Sequence, residues 1–428
     1  MKKIHVAKAA SVNRTIRVQG DKSMSHRAVI IGSLAEGVTE ITNMLEAEDT
    51  LNTVNVYRQL GVKIEKKGLK YFVSGRGLFT LREPQKKLYT GNSGTLIRLS
   101  LGVLCAQHFS SEITGDEQIV KRPMKRVMTP LAQMGAKFES RNGLAPVIVH
   151  GISLKGITHK MSVASAQVKS AILLAALHAN GATEITEGHK SRDHTERMLK
   201  HFGADIRVKA KTIRLVPGKK LQGSKVFVPG DISSAAYFIA AGVILKNSKI
   251  TMKDTGLNPT RTGIIDVLKK MGAKISVKGL KERNCEPIGD ITAVSSKLKG
   301  TLIRGAIIPR LIDEIPVIAV AAAFAKGKTT IRDAGELRVK ETDRIAVMVK
   351  NLRRVGVRAD EFPDGMVIHG LNGAPFKYAD IDSFGDHRVA MAFTIGGLAG
   401  ENGMLVKDTA CVNTSFPDFF RIVEGMKK

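Results

Sequence analysis

The chain has no tryptophan, and aromatic residues make up only 5% of its 428 positions. A core this poor in rings has to be built mostly from Ala, Val, Ile and Leu. Cysteine is scarcer still: Cys105, Cys285 and Cys411 are odd in number and far apart. That spacing excludes a disulfide framework, offers no CxxC pair for zinc, and suits a reducing compartment. Long hydrophobic runs are missing too. The longest, Ile315 to Ala325 (IPVIAVAAAFA), falls well short of the ~20 residues a membrane span needs. The amino-terminal MKKIHVAKAA carries two lysines but no apolar stretch behind them, so no signal peptide is expected. These shortages describe a cytoplasmic protein with no membrane partner.

Acidic residues are the last shortage. Asp and Glu number 39 against 67 Lys and Arg, a net charge of +28. Such an excess can serve nucleic acid, a membrane surface or small anionic substrates. Here the lysines are scattered through every region, never in a run of five or six, and no aromatic-interleaved RNP-like motif accompanies them. Charge spread this evenly reads as a solvated surface, with no nucleic-acid partner. Apolar (43%) and charged (25%) fractions are those of a globular protein of two or three domains.

What is present is repetition. Short β-like runs centred on residues 41, 113, 185, 250, 331 and 406 recur at intervals of 72, 72, 65, 81 and 75. Each follows an Ala-rich segment that is apolar on nearly every face, such as AQVKSAILLAALHAN or SSAAYFIAAGVILKN, the pattern of a buried helix. In five copies an amphipathic second helix follows and ends in a glycine, at Gly61, Gly135, Gly203, Gly272 and Gly356, mostly with basic residues in its last turn. Extended pieces come next, and the sixth copy runs out in its second helix. The unit is strand, helix, strand, helix, then strands. The stretch Thr15 to Asp21 before the first copy resembles Lys225 to Asp231 before the fourth. Three copies after each point to two similar domains hinged near residues 20 and 229: residues 21–229 form one, and 1–20 with 230–428 form the other.

The starts of the six buried helices hold the chemistry. In order they carry Lys22-Ser23, Gly91-Asn92-Ser93-Gly94-Thr95, Ser165-Ala166-Gln167, Asp231 with Ser233, Asp313-Glu314, and Gly385-Asp386-His387-Arg388. Small, hydrogen-bonding residues at a helix start expose backbone N–H groups that bind anions. Capping alone accounts for Ser165 and Asp231. It does not account for Lys22 or Arg388, cations placed against the positive end of a helix dipole. Loops before the second helices add Lys121-Arg122-Pro123, Ser191-Arg192-Asp193-His194, Asn258 to Arg261, and Arg338 to Arg344. In the last of these, Lys340 and Arg344 are spaced to share one helix face with Glu341 beside them. Six cations (Lys22, Arg27, Arg122, Lys340, Arg344, Arg388) and two carboxylates (Asp313, Glu341) suit phosphate- and carboxylate-bearing substrates with acid–base work between them. No GxGxxG, Walker or HExxH motif is present, so neither a dinucleotide nor a metal is expected.

At this point the motifs GDKSMSHR, TGNSGT, KRPM, SAQVKSA, RLIDEIP, RVKETDR and GDHRVAM, in this order across almost the whole chain, resemble the enolpyruvyl transferases. The resemblance implies an α/β fold of two similar domains, each of three βαβαββ repeats in an inside-out barrel, closing over an active site in the interdomain cleft. Closest is the branch that joins phosphoenolpyruvate to the 5-hydroxyl of shikimate 3-phosphate by addition and elimination of phosphate, in aromatic amino acid biosynthesis. Carried over by motif, Lys22, Ser23, Arg27, Ser165, Gln167, Arg192, Asp313 and Lys340 would hold shikimate 3-phosphate. Lys22, Asn92, Gly94, Arg122, Gln167, Arg344, His387 and Arg388 would hold phosphoenolpyruvate. Asp313 looks like the base at the 5-hydroxyl, and Glu341 and Lys22 like the proton carriers. The resemblance implies a metal-independent monomer without cofactor.

Three positions depart from the pattern: Ala166 where many members have serine, Glu336 for asparagine, and Thr414 for lysine. The sister branch, which uses UDP-N-acetylglucosamine, has Lys-Asn where this chain has Lys22-Ser23 and a cysteine in the loop that ends at Arg122; this loop has none. A non-enzymatic phosphate or nucleic-acid binder would explain the basicity but not Asp313 or the ordered motifs.

Overall fold

The computed structural model describes residues 2–426, and the chain divides there into two compact units. One comprises 20–228 with 282–286; the other comprises 1–19, 229–281 and 287–428. The sequence-based division places the short piece 282–286, the tip of a hairpin, with 230–428.

Twelve α-helices fall two to a repeat among the described residues: α1 (Lys22–Leu34) and α2 (Glu48–Gln59), α3 (Gly94–Leu104) and α4 (Lys125–Gln133), α5 (Ala166–Ala176) and α6 (His194–His201), α7 (Ile232–Ile244) and α8 (Gly263–Lys270), α9 (Ile315–Ala323) and α10 (Arg344–Arg354), α11 (His387–Leu398) and α12 (Phe419–Gly425). The first helix of each pair is buried nearly all round, as its uniformly apolar sequence requires. In every unit these helices form the core and the sheets lie over them, so each unit has its own apolar cluster. The five glycines expected after second helices all have positive φ, the left-handed conformation that ends a helix without a Cβ clash.

Each repeat has one small sheet with the same topology. In the first, strand 225–227 lies parallel to 36–42, which pairs antiparallel with 70–76, which pairs antiparallel with 63–67. The other four-stranded sheets repeat this order, and none closes on itself. Two details depart from simple sequence order. Strand 13–16 precedes α1 yet pairs in parallel with 249–256 of the fourth repeat, while 225–227 precedes α7 yet pairs with the first repeat. The similar stretches before the first and fourth copies thus lend their strands to each other's sheets. The sixth sheet has three strands, and the amino-terminal strand 3–6 fills the third-strand position, antiparallel to 404–407. Among the described residues no helix is long and apolar enough to cross a membrane.

Candidate active site

Within the unit of repeats 1–3, three buried helices bring their first turns to bear on polar side chains. Asp21 caps α1 by accepting from the Met24 N–H at 2.8 Å. Lys22, the first residue of α1, places Nζ 3.0 Å from Oδ2 of Asp49 on α2. The cation at the positive end of the dipole is therefore met by a carboxylate of the next helix, which offsets a placement that otherwise costs a few tenths to about 1 kcal/mol. One turn on, Arg27 is buried and its guanidinium is held from three sides: Nε donates to Thr195 Oγ1 (2.7 Å), one terminal nitrogen to Ser170 Oγ (2.9 Å) and the other to the Ser23 carbonyl (2.9 Å). His26 beside it donates or accepts at Thr53 Oγ1 (2.6 Å), and burial together with the Lys22 and Arg27 charges pushes its pKa well below the ordinary value.

The start of α3 is the densest anion-binding feature. Ser93 caps it through the Leu96 N–H, and Gly94 is its first residue. A Cβ at Gly94 would lie 2.9 Å from a terminal nitrogen of Arg98 and 3.4 Å from one of Arg122, so two guanidinia crowd a bare helix N-terminus. Arg122 donates to Asn92 Oδ1 at 2.5 Å. Arg98 donates to Gln167 Oε1 at 2.7 Å, and the Gln167 amide nitrogen donates to Thr95 Oγ1 at 3.2 Å. Asn92, Gly94, Arg122 and Gln167, named from sequence, are thus joined by Arg98. Ser165 caps α5 through Val168. Arg192 lies in the loop before α6, between Ser191 and Asp193.

Within the unit of repeats 4–6, the focus is Asp313. Its Oδ1 faces Lys340 Nζ at 3.9 Å and Arg344 at 3.5 Å, and its Oδ2 faces Arg388 at 3.6 Å. Arg388 also donates to the Asp313 carbonyl at 3.2 Å. Arg344, only 1% exposed, donates Nε to Asp386 Oδ2 at 2.7 Å and pairs closely with Glu341. Asp386 in turn caps α11 through the N–H groups of Arg388 and Val389, which fixes His387 and Arg388 at the head of that helix. Burial works against both guanidinium charges. The carboxylates around them, Asp386 first for Arg344 and Asp313 first for Arg388, outweigh it and hold both above their ordinary value.

One expectation fails here. Lys340 and Arg344 do not share a helix face: residues 335–339 form a 3₁₀ turn, Lys340 is extended, and α10 starts only at Arg344. Asp343 is the reason, because its carboxylate caps α10 through Ile345 and Ala346 while Arg338 grips its other oxygen at 2.6 Å. Lys340 reaches Asp313 from the loop instead. Sequence reasoning also passed over Asp49, Arg98 and Lys169. For the last two a signal existed, since each is a cation inside an otherwise apolar helix (TLIRLSLGVL, AQVKSAILLAA) and both are buried. Asp49 sits in an ordinary acidic first turn and carried none.

Comparison with known proteins agrees with this architecture. The fold is shared with the enolpyruvyl transferases: the structure of NikO from Streptomyces tendae superposes with a TM-score of 0.80 at 17% identity, over 99% of this chain and 96% of that one. Within that class the chain belongs to the EPSP synthase (3-phosphoshikimate 1-carboxyvinyltransferase) family, whose model matches residues 6–423. The 3-phosphoshikimate 1-carboxyvinyltransferase of Thermoanaerobacter sp. (strain X514) is 52% identical over 419 residues, 98% of each chain. The structure of EPSP synthase from Acinetobacter baumannii is 42% identical, with a TM-score of 0.89 over 100% of this chain and 98% of that one.

Proposed function

We propose that this chain transfers the enolpyruvyl group of phosphoenolpyruvate to the 5-hydroxyl of shikimate 3-phosphate, releasing phosphate. Full-length membership of the EPSP synthase family is the observation that carries the reading. Arg27, Ser23, Ser165, Gln167 and Arg192 hold shikimate 3-phosphate together with Lys340, and the Asn92–Gly94–Arg122 cradle takes phosphoenolpyruvate together with Arg344, His387 and Arg388. Lys22 serves both substrates.

In the addition step Asp313 takes the 5-hydroxyl proton, the oxygen bonds to C2 of the enolpyruvyl group, and C3 gains a proton from Glu341 or Lys22. In the elimination step C3 returns a proton, the C2–O bond to phosphate breaks, and phosphate leaves. The crowd of cations suits the charge on the phosphate leaving group. The same reading makes the protein a cytoplasmic monomer working without metal or cofactor. Phosphate release from phosphoenolpyruvate, with shikimate 3-phosphate and UDP-N-acetylglucosamine compared as acceptors, tests it. Release with the first only is expected, and release with the second only would overturn it.

A further inference from the structure

The reaction as described makes no use of the most deeply buried charge of repeats 1–3. Lys169, on the first turn of α5, is fully enclosed, its Nζ 3.0 Å from Glu187 Oε2 and 2.6 Å from Glu196 Oε1. Burial opposes its charge, and Glu196 and Glu187 outweigh burial and hold the ammonium above its ordinary value. A triad like this is weak evidence for stability, because desolvation cancels much of the attraction and an apolar filling of similar volume serves as well. What it does supply is geometry.

Each carboxylate ties α5 to one end of a single loop. Glu187 leaves the strand 183–186, and its second oxygen accepts both the N–H (3.0 Å) and the hydroxyl (2.5 Å) of Ser191, closing the loop on itself. Glu196 lies in the first turn of α6, next to Thr195. Ser170, beside Lys169, bonds Thr195 Oγ1 at 2.6 Å, and Arg27 donates to both of those hydroxyls. Arg192 stands between the two tethers, preceded by Ser191 and followed by Asp193, which Arg197 holds at 3.0 Å. Ser165, the cap of α5, is one turn before Lys169 on the same helix, and Gln167 lies between them in sequence.

We propose that Lys169, acting through Glu187–Ser191 and Glu196, is a positioning residue for shikimate 3-phosphate. One buried ammonium sets the Arg192 loop and the Arg27 guanidinium in register with Ser165 and Gln167, so that groups from α1, α5 and the loop before α6 meet one phosphorylated ring. The inference rests on the proposed function and refines it: these residues govern affinity for that substrate and take no part in bond making.

Steady-state kinetics of Ser191→Ala and Lys169→Met test it, with folding followed by circular dichroism. Ser191→Ala removes only a hydroxyl and should raise KM for shikimate 3-phosphate about tenfold, leaving kcat and KM for phosphoenolpyruvate within about twofold. Ser191→Thr, which keeps the hydroxyl, should restore most of the loss. Lys169→Met should shift the same KM further in the same direction. If Lys169→Met does not fold, the Ser191 pair decides alone. An unchanged KM for shikimate 3-phosphate in Ser191→Ala overturns the inference, as does a loss shared equally by both substrates. If the wild-type chain releases no phosphate with shikimate 3-phosphate, the proposed function falls and this inference with it; if the wild type turns over and the variants match it, only this inference falls.

Discussion

Replacing Asp313 by asparagine keeps the shape of the side chain and removes its charge and its basicity together. The structure separates these two effects. Three cations face the carboxylate, Lys340 at 3.9 Å, Arg344 at 3.5 Å and Arg388 at 3.6 Å. At such distances a pair of unit charges interacts by roughly 4 kcal/mol for an effective dielectric of about 20. Removing the anion therefore leaves three cations more available to the phosphate and carboxylate groups of the substrates, and binding should hold or tighten. Losing a general base costs about 10²- to 10⁴-fold, or roughly 3 to 5 kcal/mol of barrier at 1.36 kcal/mol per decade. The expected signature is a kcat reduced by about that factor, with KM for both substrates unchanged or lower. Continuous phosphate release with each substrate varied in turn, and calorimetric titration of shikimate 3-phosphate, measure the two quantities independently. A kcat within tenfold of wild type would remove Asp313 as the base. A rate loss accompanied by an equal loss of affinity would make it a binding residue instead.

Lys22→Met should abolish turnover while the fold survives, since Asp49 loses a cation but the Asp21 cap bond to the Met24 N–H stays in place; phosphate release near the wild-type rate would refute a shared cation. Gly94→Ala puts a Cβ 2.9 Å from the Arg98 nitrogen that holds Gln167, so that guanidinium has to shift. KM for phosphoenolpyruvate should therefore rise about tenfold with a smaller change for shikimate 3-phosphate, and equal rises would count against separate cradles. His26 has a folded pKa below its unfolded value of about 6.5, so the unfolded chain binds its proton first and stability should fall as pH drops below that value. Urea midpoints at pH 7.5 and 5.5 should differ less in His26→Gln than in wild type, and equal differences would remove His26 as a contributor.

The repeat, the six buried helices and the cations at their starts were legible because each is written in local periodicity. A helix apolar on every face can only be a core helix, and a lysine or arginine at such a helix's start contradicts the dipole wherever the chain goes. The seven motifs then assigned those positions to one chemistry. The unpaired reading of that contradiction was incomplete, because Asp49 meets Lys22 from another helix and no local signal marks an aspartate in an acidic first turn as a partner. Helix spacing misplaced Lys340 for a related reason: Asp343 starts α10 late, and a cap's strength depends on what else, here Arg338, holds it in place.

By itself, then, the sequence determined the unit, its number of copies and the polarity of every helix start, all properties set within a dozen residues. Tertiary structure alone decided which sheet each leading strand joins, that the amino-terminal strand completes the sixth sheet, that Arg98 holds Gln167, and that Lys169 gathers two carboxylates. The physical reason is range. Hydrophobic period and dipole act along one segment, whereas strand pairing and buried charge partners join residues from 18 to several hundred positions apart, and nothing in either segment alone names the other.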